Sequence, residues 1–189
     1  MKRRPIPRGA IKIDLPNTTQ VEDWTCGPSA LLAICAYYGV GPAWEADVAR
    51  DMRATTDGTD PVQIMRAARR YGLRVEEFRG MTTAQLVACV KRARPVIVML
   101  QAWAGGAPNY AKRWSDGHWV VAIGFDRDGV YFEDPSLHAS RGFLTYRELD
   151  VRWHDVEGKD NHHVERYGAA IWKPSVRGSA FARQAVAIE

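Results

Sequence analysis

The chain carries a cysteine in the setting that a thiol nucleophile requires. Cys26 is followed by Gly27 and Pro28 and then by an apolar run that ends at Gly39. Pro28 fits the first turn of a helix, where its missing N–H would have no intrahelical acceptor, so Cys26 is predicted at or just before a helix N-terminus. The unpaired N–H groups and the dipole at that end favour a thiolate, which is the reactive form of cysteine.

An amide side chain upstream of this cysteine has the chemistry of an oxyanion donor. Gln20 precedes Cys26 in the same polar segment. The backbone N–H at the helix start is expected to be one donor to an oxyanion, and the Gln20 amide is the candidate for the second. The alternative is that Cys26 is a small buried hydrophobic residue, as most free cysteines are. The local pattern alone does not decide between these interpretations.

A histidine and an aspartate are predicted to meet at the open end of a β-hairpin. His118 begins one strand-like segment, Asp134 ends the next, and Asp128 and Gly129 form the turn between them. If the two strands have similar lengths, their open ends come together and place His118 beside Asp134. The carboxylate would then hold one imidazole nitrogen while the other faces Cys26, as a thiol nucleophile requires. A solvated histidine and a turn aspartate are the alternatives, but the joint placement favours catalysis.

The elements that must position these residues are helices in the first half of the chain and mostly strands in the second. Amphipathic spacing and caps predict helices at 28–38, 43–52, 61–70, from 82 onward, and at 145–153. Strands are predicted at 10–15, 73–78, 96–100, 118–125, 130–132 and 168–172. The unbroken apolarity of 96–100 indicates a strand buried on both faces. This order predicts the α+β class, with N-terminal helices packed on a largely antiparallel sheet.

Length and composition predict one soluble domain. The 189 residues are interpreted as a single domain over 1–189, with a core of about 15–173, a basic N-terminal arm at 1–14 and a C-terminal tail at 174–189. The net charge of +4 comes mainly from arginines spread along the chain, which argues against nucleic-acid binding. No apolar run is long enough for a membrane span. The three cysteines form no C-x-x-C pair, and a free thiol suits a cytoplasmic location.

A group of histidines and aspartates near the C-terminal end is interpreted as a solvated loop rather than a metal site. Its members share a polar, turn-like segment without ligand spacing on a regular element. They are His154, Asp155, Asp160, His162 and His163. No metal and no cofactor are therefore predicted.

Taken in order, these motifs resemble the bacteriocin-processing peptidases, papain-like cysteine peptidases that cleave after double-glycine leader sequences and are often fused to peptide-exporting transporters. The resemblance covers roughly residues 15–172. The matching segments are Gln20-x5-Cys26-Gly27-Pro28-Ser29-Ala30-Leu31, Tyr37-Tyr38-Gly39, Gly58-Thr59, Tyr71-Gly72-Leu73, Arg94-Pro95-Val96-Ile97-Val98, Gly117-His118-Trp119-Val120-Val121 and Asp134-Pro135. The resemblance implies a papain-like fold. The sequence departs from the fused members of the family in carrying no transporter or nucleotide-binding module, so a stand-alone domain is expected.

It also implies roles for four residues. Cys26 would be the nucleophile, His118 the general base and acid, Asp134 the group that orients His118, and Gln20 the oxyanion donor. The implied function is hydrolysis of a peptide bond in a peptide or protein substrate, such as leader-peptide or precursor processing. Two alternatives stay open: an acyl transferase or transpeptidase of the same fold, and a peptide-binding module without turnover.

Three residues beside the predicted catalytic groups are assigned as candidate substrate contacts. They are Trp24, Gly117 and Trp119. Core packing is the alternative for the tryptophans. The segment 103–114 before His118 is longer than a simple lead-in to a hairpin, and a lid over the site is one hypothesis for it. The sequence makes no prediction of the oligomeric state.

Overall fold

The computed structural model describes residues 5–105 and 109–174. The helices in these ranges are α1 (Cys26–Tyr38), α2 (Glu45–Met52), α3 (Pro61–Arg70), α4 (Thr83–Lys91) and α5 (Tyr146–Arg152). The strands are β1 (Ile11–Lys12), β2 (Arg74–Phe78), β3 (Val96–Gln101), β4 (Gly117–Phe125), β5 (Gly129–Glu133), β6 (Gly142–Thr145), β7 (His154–Glu157), β8 (His162–Glu165) and β9 (Gly168–Trp172). The predicted arm at 1–14 contains a turn at residues 8–9 and the short strand β1, but residues 1–4 and nearly all of the predicted tail at 174–189 lie outside the described residues.

Local caps determine where the helices begin and end. α1 begins at Cys26 and stops at Gly39, whose φ of 62° is the left-handed conformation that glycine adopts without strain. α3 begins at Pro61 behind the Asp60 cap, and Gln63 completes a capping box. These helix positions confirm the predictions, and Cys26 is the first residue of its helix.

The sheet is antiparallel at every described strand pair. Its strand order is β2-β9-β3-β4-β5-β6, and β1 pairs with β4 as an additional strand. All six residues of the central strand β3 are buried, which confirms the prediction of a strand covered on both faces. Helices α1 and α4 pack against β4. The predicted α+β architecture, with helices on a largely antiparallel sheet, is confirmed.

The hairpin of β4 and β5 sets the geometry of the predicted site. Residue pairs run from Phe125–Val130 near the turn to Val121–Glu133 near the open end, with a bulge at Ala122–Gly124. The Asp126 carboxylate accepts the Gly129 N–H in the turn, at 3.1 Å. The open end therefore brings the first residues of β4 next to the segment that follows β5.

The interpretation of residues 154–163 as a loop was wrong. The segment 154–163 is not only a solvated loop, since it holds β7 and the start of β8, which form a separate two-stranded sheet. His154 and Asp155 are buried, whereas His162 and His163 are exposed. These strands have no alternating apolar pattern, so nothing in the sequence signalled them. Their buried residues are covered by β3 and by the residues before β4.

Two further observations concern ligands and membranes. Within residues 5–105 and 109–174, no three His, Cys, Asp or Glu side chains converge as ligands for a metal ion. None of the helices in the same ranges combines the length and apolarity needed to cross a bilayer.

Candidate active site

The candidate nucleophile lies at the start of α1, packed against the sheet. Cys26 is buried, with 6% of its surface exposed. As the first helical residue it has a backbone N–H without an intrahelical acceptor. A Cβ at the next position, Gly27, would lie 3.1 Å from Thr59 Cβ and 3.2 Å from Trp119 Cδ1. The small residue after Cys26 therefore lets the helix start approach β4 closely.

The candidate base and its orienting carboxylate are in direct contact. His118 Nε2 lies 2.7 Å from Asp134 Oδ1, although sixteen residues separate the two in sequence. Both side chains are buried. The Ser136 N–H also donates to Asp134 Oδ1, at 2.9 Å, and holds the carboxylate in place. The predicted proximity of His118 and Asp134 is confirmed, while their catalytic roles stay predictions.

The imidazole of His118 also contacts Cys26. Burial disfavours the charged ring, but the hydrogen bonds to Asp134 and Cys26 and the charges of both partners outweigh burial and raise the pKa of His118 to about 9. Because Nε2 faces Asp134, Nδ1 is the ring nitrogen left for the Cys26 thiol. An imidazolium at neutral pH stabilises an adjacent thiolate, so this pair can hold the nucleophile in its reactive form.

The predicted oxyanion donor, Gln20, is hydrogen-bonded to the residues that follow Asp134, but its amide N–H groups bind carbonyl oxygens of its own loop. Gln20 Nε2 donates to the carbonyl oxygens of Glu22 at 3.0 Å and Asp23 at 3.2 Å. Gln20 Oε1 accepts from Ser136 Oγ, and the Gln20 N–H donates to the Pro135 carbonyl. The amide must turn at least one N–H toward a substrate to act as a donor, so this role stays a prediction.

The three candidate substrate contacts differ in exposure. Trp119 is buried, and its indole N–H donates to the Thr59 carbonyl at 2.9 Å. Its ring packs against Gly27 at the start of α1 and is not accessible to a substrate. Gly117 is exposed at the start of β4. Trp24 is half-buried and lines a groove that includes Thr25, the residue before Cys26, but not Cys26 itself.

This groove lies between residues 18–25 and α2 and has a volume of about 760 Å³. Val21 and Trp44 on its lining are 76% and 73% exposed. Trp44 does not share the burial of Val48 and Met52, which lie four and eight residues further along and are both in the core. Trp44 precedes α2 in an extended conformation, so helical periodicity does not apply to it.

The other two thiols occupy different surroundings. Cys35 is fully buried in α1, and burial raises the pKa of its thiol to about 12. Burial also raises the pKa of Cys89, which packs at the end of α4. A raised thiol pKa makes each of them a poor nucleophile at neutral pH.

A buried ion pair behind the site was missed by sequence reasoning. Glu133, the residue before Asp134, is fully buried and paired with Arg141. Its carboxylate accepts the Thr18 N–H at 2.7 Å, and Thr18 Oγ1 donates to the carbonyl of Ser29 in α1 at 3.0 Å. Glu133 thus connects the end of β5 to the segment that leads to Gln20.

A cysteine at a helix start, facing a histidine on an antiparallel sheet, defines the class of papain-like proteins. Within that class, the chain belongs to the Peptidase_C39 like family, whose sequence model matches residues 12–159, more than half of the chain. The resemblance predicted from the motifs is thereby confirmed. A comparison with curated proteins found no match.

Solved structures of C39-type peptidases share the fold. A candidate C39-like peptidase from Bacillus anthracis has a TM-score of 0.68 at 15% identity, over 88% of this chain and 99% of that one. A double glycine motif protease from an AMS/PCAT transporter, solved with its leader peptide, has a TM-score of 0.57 at 21% identity, over 91% and 99%. The peptidase domain of Streptococcus ComA, a bifunctional ABC transporter, has a TM-score of 0.60 at 16% identity, over 82% and 96%. These similarities confirm the predicted fold.

Proposed function

We propose that the chain is a cysteine peptidase that hydrolyses a peptide bond with Cys26, His118 and Asp134. The observation that carries this proposal is the double contact of one imidazole, with Asp134 Oδ1 at 2.7 Å from Nε2 and with the thiol of Cys26. A nucleophile, a base and an orienting carboxylate are together sufficient for acyl transfer chemistry. Membership of a peptidase family supports the same conclusion.

The proposed reaction has two steps. The Cys26 thiolate attacks the carbonyl carbon of the scissile bond, and the oxyanion accepts hydrogen bonds from the Cys26 N–H and a reoriented Gln20 amide. The His118 imidazolium gives its proton to the leaving amine, and a thioester to Cys26 results. His118 then takes a proton from water, whose hydroxide attacks the thioester and releases the acid. Asp134 holds the ring in the required tautomer throughout.

A peptide or a precursor protein is the proposed substrate, with leader-peptide removal as the proposed task. The groove that ends at Thr25, the residue before Cys26, supports this choice, because its exposed apolar lining can hold side chains of an extended or helical peptide. The AMS/PCAT protease that shares the fold was solved with a leader peptide. Acyl transfer has no separate observation in its favour.

Selective alkylation tests the proposed nucleophile. A sub-stoichiometric dose of iodoacetamide at neutral pH is expected to modify Cys26 alone, because the His118 imidazole contacts its thiol, whereas the thiol pKa values of Cys35 and Cys89 are raised. Intact-mass and peptide-mass measurements identify the modified residue. The Cys26→Ala protein is expected to show no adduct.

The matched control is Cys35→Ala, which removes a thiol from the same helix and is expected to be labelled like the wild type. Equal labelling of the Cys26→Ala protein would contradict the assignment. Cleavage of a peptide library, followed by mass spectrometry, then identifies the products and is expected to fail with Cys26→Ala.

Shortening Trp44 tests the groove as a peptide-binding site. Trp44→Ala is expected to raise KM for a cleaved peptide about tenfold with little change in kcat, because a large exposed aromatic contact is lost away from the reacting atoms. Val62→Ala, an exposed apolar residue of α3 outside the groove, is the control and is expected to keep the wild-type KM. An unchanged KM in Trp44→Ala would exclude this groove.

A further inference from the structure

The tryptophan that follows His118 contacts the helix that carries Cys26. Trp119 is 4% exposed, and its indole N–H donates to the Thr59 carbonyl at 2.9 Å. Its Cδ1 atom would lie 3.2 Å from a Cβ at Gly27, the residue after Cys26. Trp119 therefore connects the residue next to the candidate base with the residue next to the candidate nucleophile.

Thr59 takes part in the same contact. A Cβ at Gly27 would lie 3.1 Å from Thr59 Cβ as well as close to the indole. The Thr59 hydroxyl is buried and has no hydrogen-bond partner among the residues that the structure describes, so the Thr59 carbonyl carries the link to Trp119. Gly27 is thus enclosed by Thr59 and the indole ring, and a larger residue would displace one of them.

The indole ring is also supported from the sheet. Trp119 pairs with Met99 across the β3–β4 ladder. The ring of Tyr167 meets the indole edge-on, with 5.8 Å between ring centroids and 85° between planes. Tyr167 is fully buried, and its hydroxyl donates to Glu77 at 2.8 Å. A buried and hydrogen-bonded neighbour therefore limits the movement of the indole.

We propose that Trp119 is a positioning residue, which sets the separation between the Cys26 thiol and the His118 imidazole. This inference rests on the proposed function, since it concerns the geometry of the proposed reaction. Successive side chains of a strand point to opposite sides, so His118 and Trp119 approach the start of α1 from two directions. The His118–Cys26 and Trp119–Gly27 contacts together fix the distance and the orientation of the helix start.

The separation of the two reacting groups controls the rate of the proposed reaction. Stabilisation of the thiolate and transfer of the proton both require a short contact between Cys26 and His118. A displacement of about 1 Å can lower a catalysed rate by about 100-fold, so a shift of a few tenths of an ångström is expected to cost up to about tenfold. Changes at Trp119 are therefore expected to appear in kcat rather than in KM.

Trp119→Phe tests this inference, because it keeps an aromatic ring and removes the N–H that binds Thr59. It is expected to lower kcat for peptide cleavage about tenfold with little change in KM. The matched control is Tyr38→Phe, which also removes a buried donor to a backbone carbonyl, that of Ala93 at 3.3 Å, but at the opposite end of α1. This control is expected to keep the wild-type kcat and KM.

Gly27→Ala changes the same contact from the helix side and removes no hydrogen bond. Its Cβ must displace Thr59 or the indole by a few tenths of an ångström, so kcat is expected to fall although alanine favours a helix more than glycine does. Because both substitutions alter one separation, the double variant with Trp119→Phe is expected to lose less than the product of the single losses. A loss equal to that product would contradict a shared contact.

The rate of Cys26 alkylation by iodoacetamide at pH 6, divided by the rate at pH 9, reports the separation without a substrate. At pH 6 a thiolate persists only beside a cationic partner, whereas at pH 9 an unpaired thiol also ionises. The ratio is expected to fall about threefold in Trp119→Phe and to stay at the wild-type value in Tyr38→Phe. Loss of a hydrogen bond elsewhere in the fold would not change this ratio.

These measurements separate this inference from the proposed function. An unchanged kcat or an unchanged alkylation ratio in a folded Trp119→Phe protein would overturn the role of Trp119 alone. If that variant does not fold, the same two measurements on Gly27→Ala decide, with the same outcomes. A wild type that cleaves no peptide would contradict the proposed function, while the alkylation ratio still tests Trp119.

Discussion

Replacing His118 with alanine is expected to lower kcat/KM for peptide cleavage by about 10³-fold or more. Without the imidazole, Cys26 loses its proton acceptor and cationic partner, and the leaving amine loses its proton donor. The direct hydrogen bond to Asp134 and the contact with Cys26 are both lost in this variant, so a large loss of transition-state stabilisation is expected. Initial rates on a peptide cleaved by the wild type measure the effect.

The control for this variant is His138→Ala, which removes an exposed histidine from the segment after Asp134. It is expected to cleave peptides at the wild-type rate. Thermal unfolding of both variants shows whether loss of activity accompanies loss of structure, since Asp134 keeps the Ser136 N–H as a donor when His118 is absent. A His118→Ala protein with more than about one tenth of the wild-type kcat/KM would refute the catalytic role of His118.

Replacing Glu133 with alanine is expected to reduce the free energy of unfolding by about 3–5 kcal/mol, because it leaves a buried charge and several donors without their partner. Glu133 is fully buried, and its partners are Arg141, the Asn17 amide and the Thr18 N–H. These donors come from separate parts of the chain, so the loss also loosens the segment before Gln20. Urea unfolding monitored by tryptophan fluorescence gives the free energy.

Glu76→Ala is the matched control for a carboxylate in an ion pair. Glu76 is half-exposed and 3.7 Å from Arg94, so its removal is expected to cost less than about 1 kcal/mol. If Glu133→Ala were no more destabilising than Glu76→Ala, the buried network would not support the fold. The different burial of the two carboxylates is the reason for the expected difference.

The segment 103–114, for which a lid was one hypothesis, is held in place at its C-terminal end. The indole of Trp114 stacks on the imidazole of His163 at 3.8 Å between ring centroids and also contacts His154 at 4.4 Å. Arg113 and Asp116 form an ion pair beside it. Residues 113–116 are therefore held in place, and 106–108 of the same segment lie outside the described part of the chain.

The sequence by itself determined the parts of the site that depend on neighbouring residues. Pro28 and Gly39 delimit α1, so they place Cys26 at a helix start. The tight turn between β4 and β5 makes the hairpin ends meet, so it places His118 beside Asp134. A cap and a turn are local structures whose geometry follows from a few consecutive residues, which is why their consequences could be predicted without tertiary contacts.

Only the tertiary structure decided which polar side chains surround these residues. Glu133 reaches Asn17 across 116 positions and Asp155 reaches Gln101 across 54. A buried carboxylate is tolerated because donors distant in sequence compensate for its lost hydration, and no periodic pattern records such partners. The exposure of Trp44 likewise depends on tertiary packing, since residues 18–25 lie beside α2 across the groove. Cap and turn residues thus encode the positions of the three candidate catalytic groups, whereas the folded chain alone supplies the surroundings that control their charge.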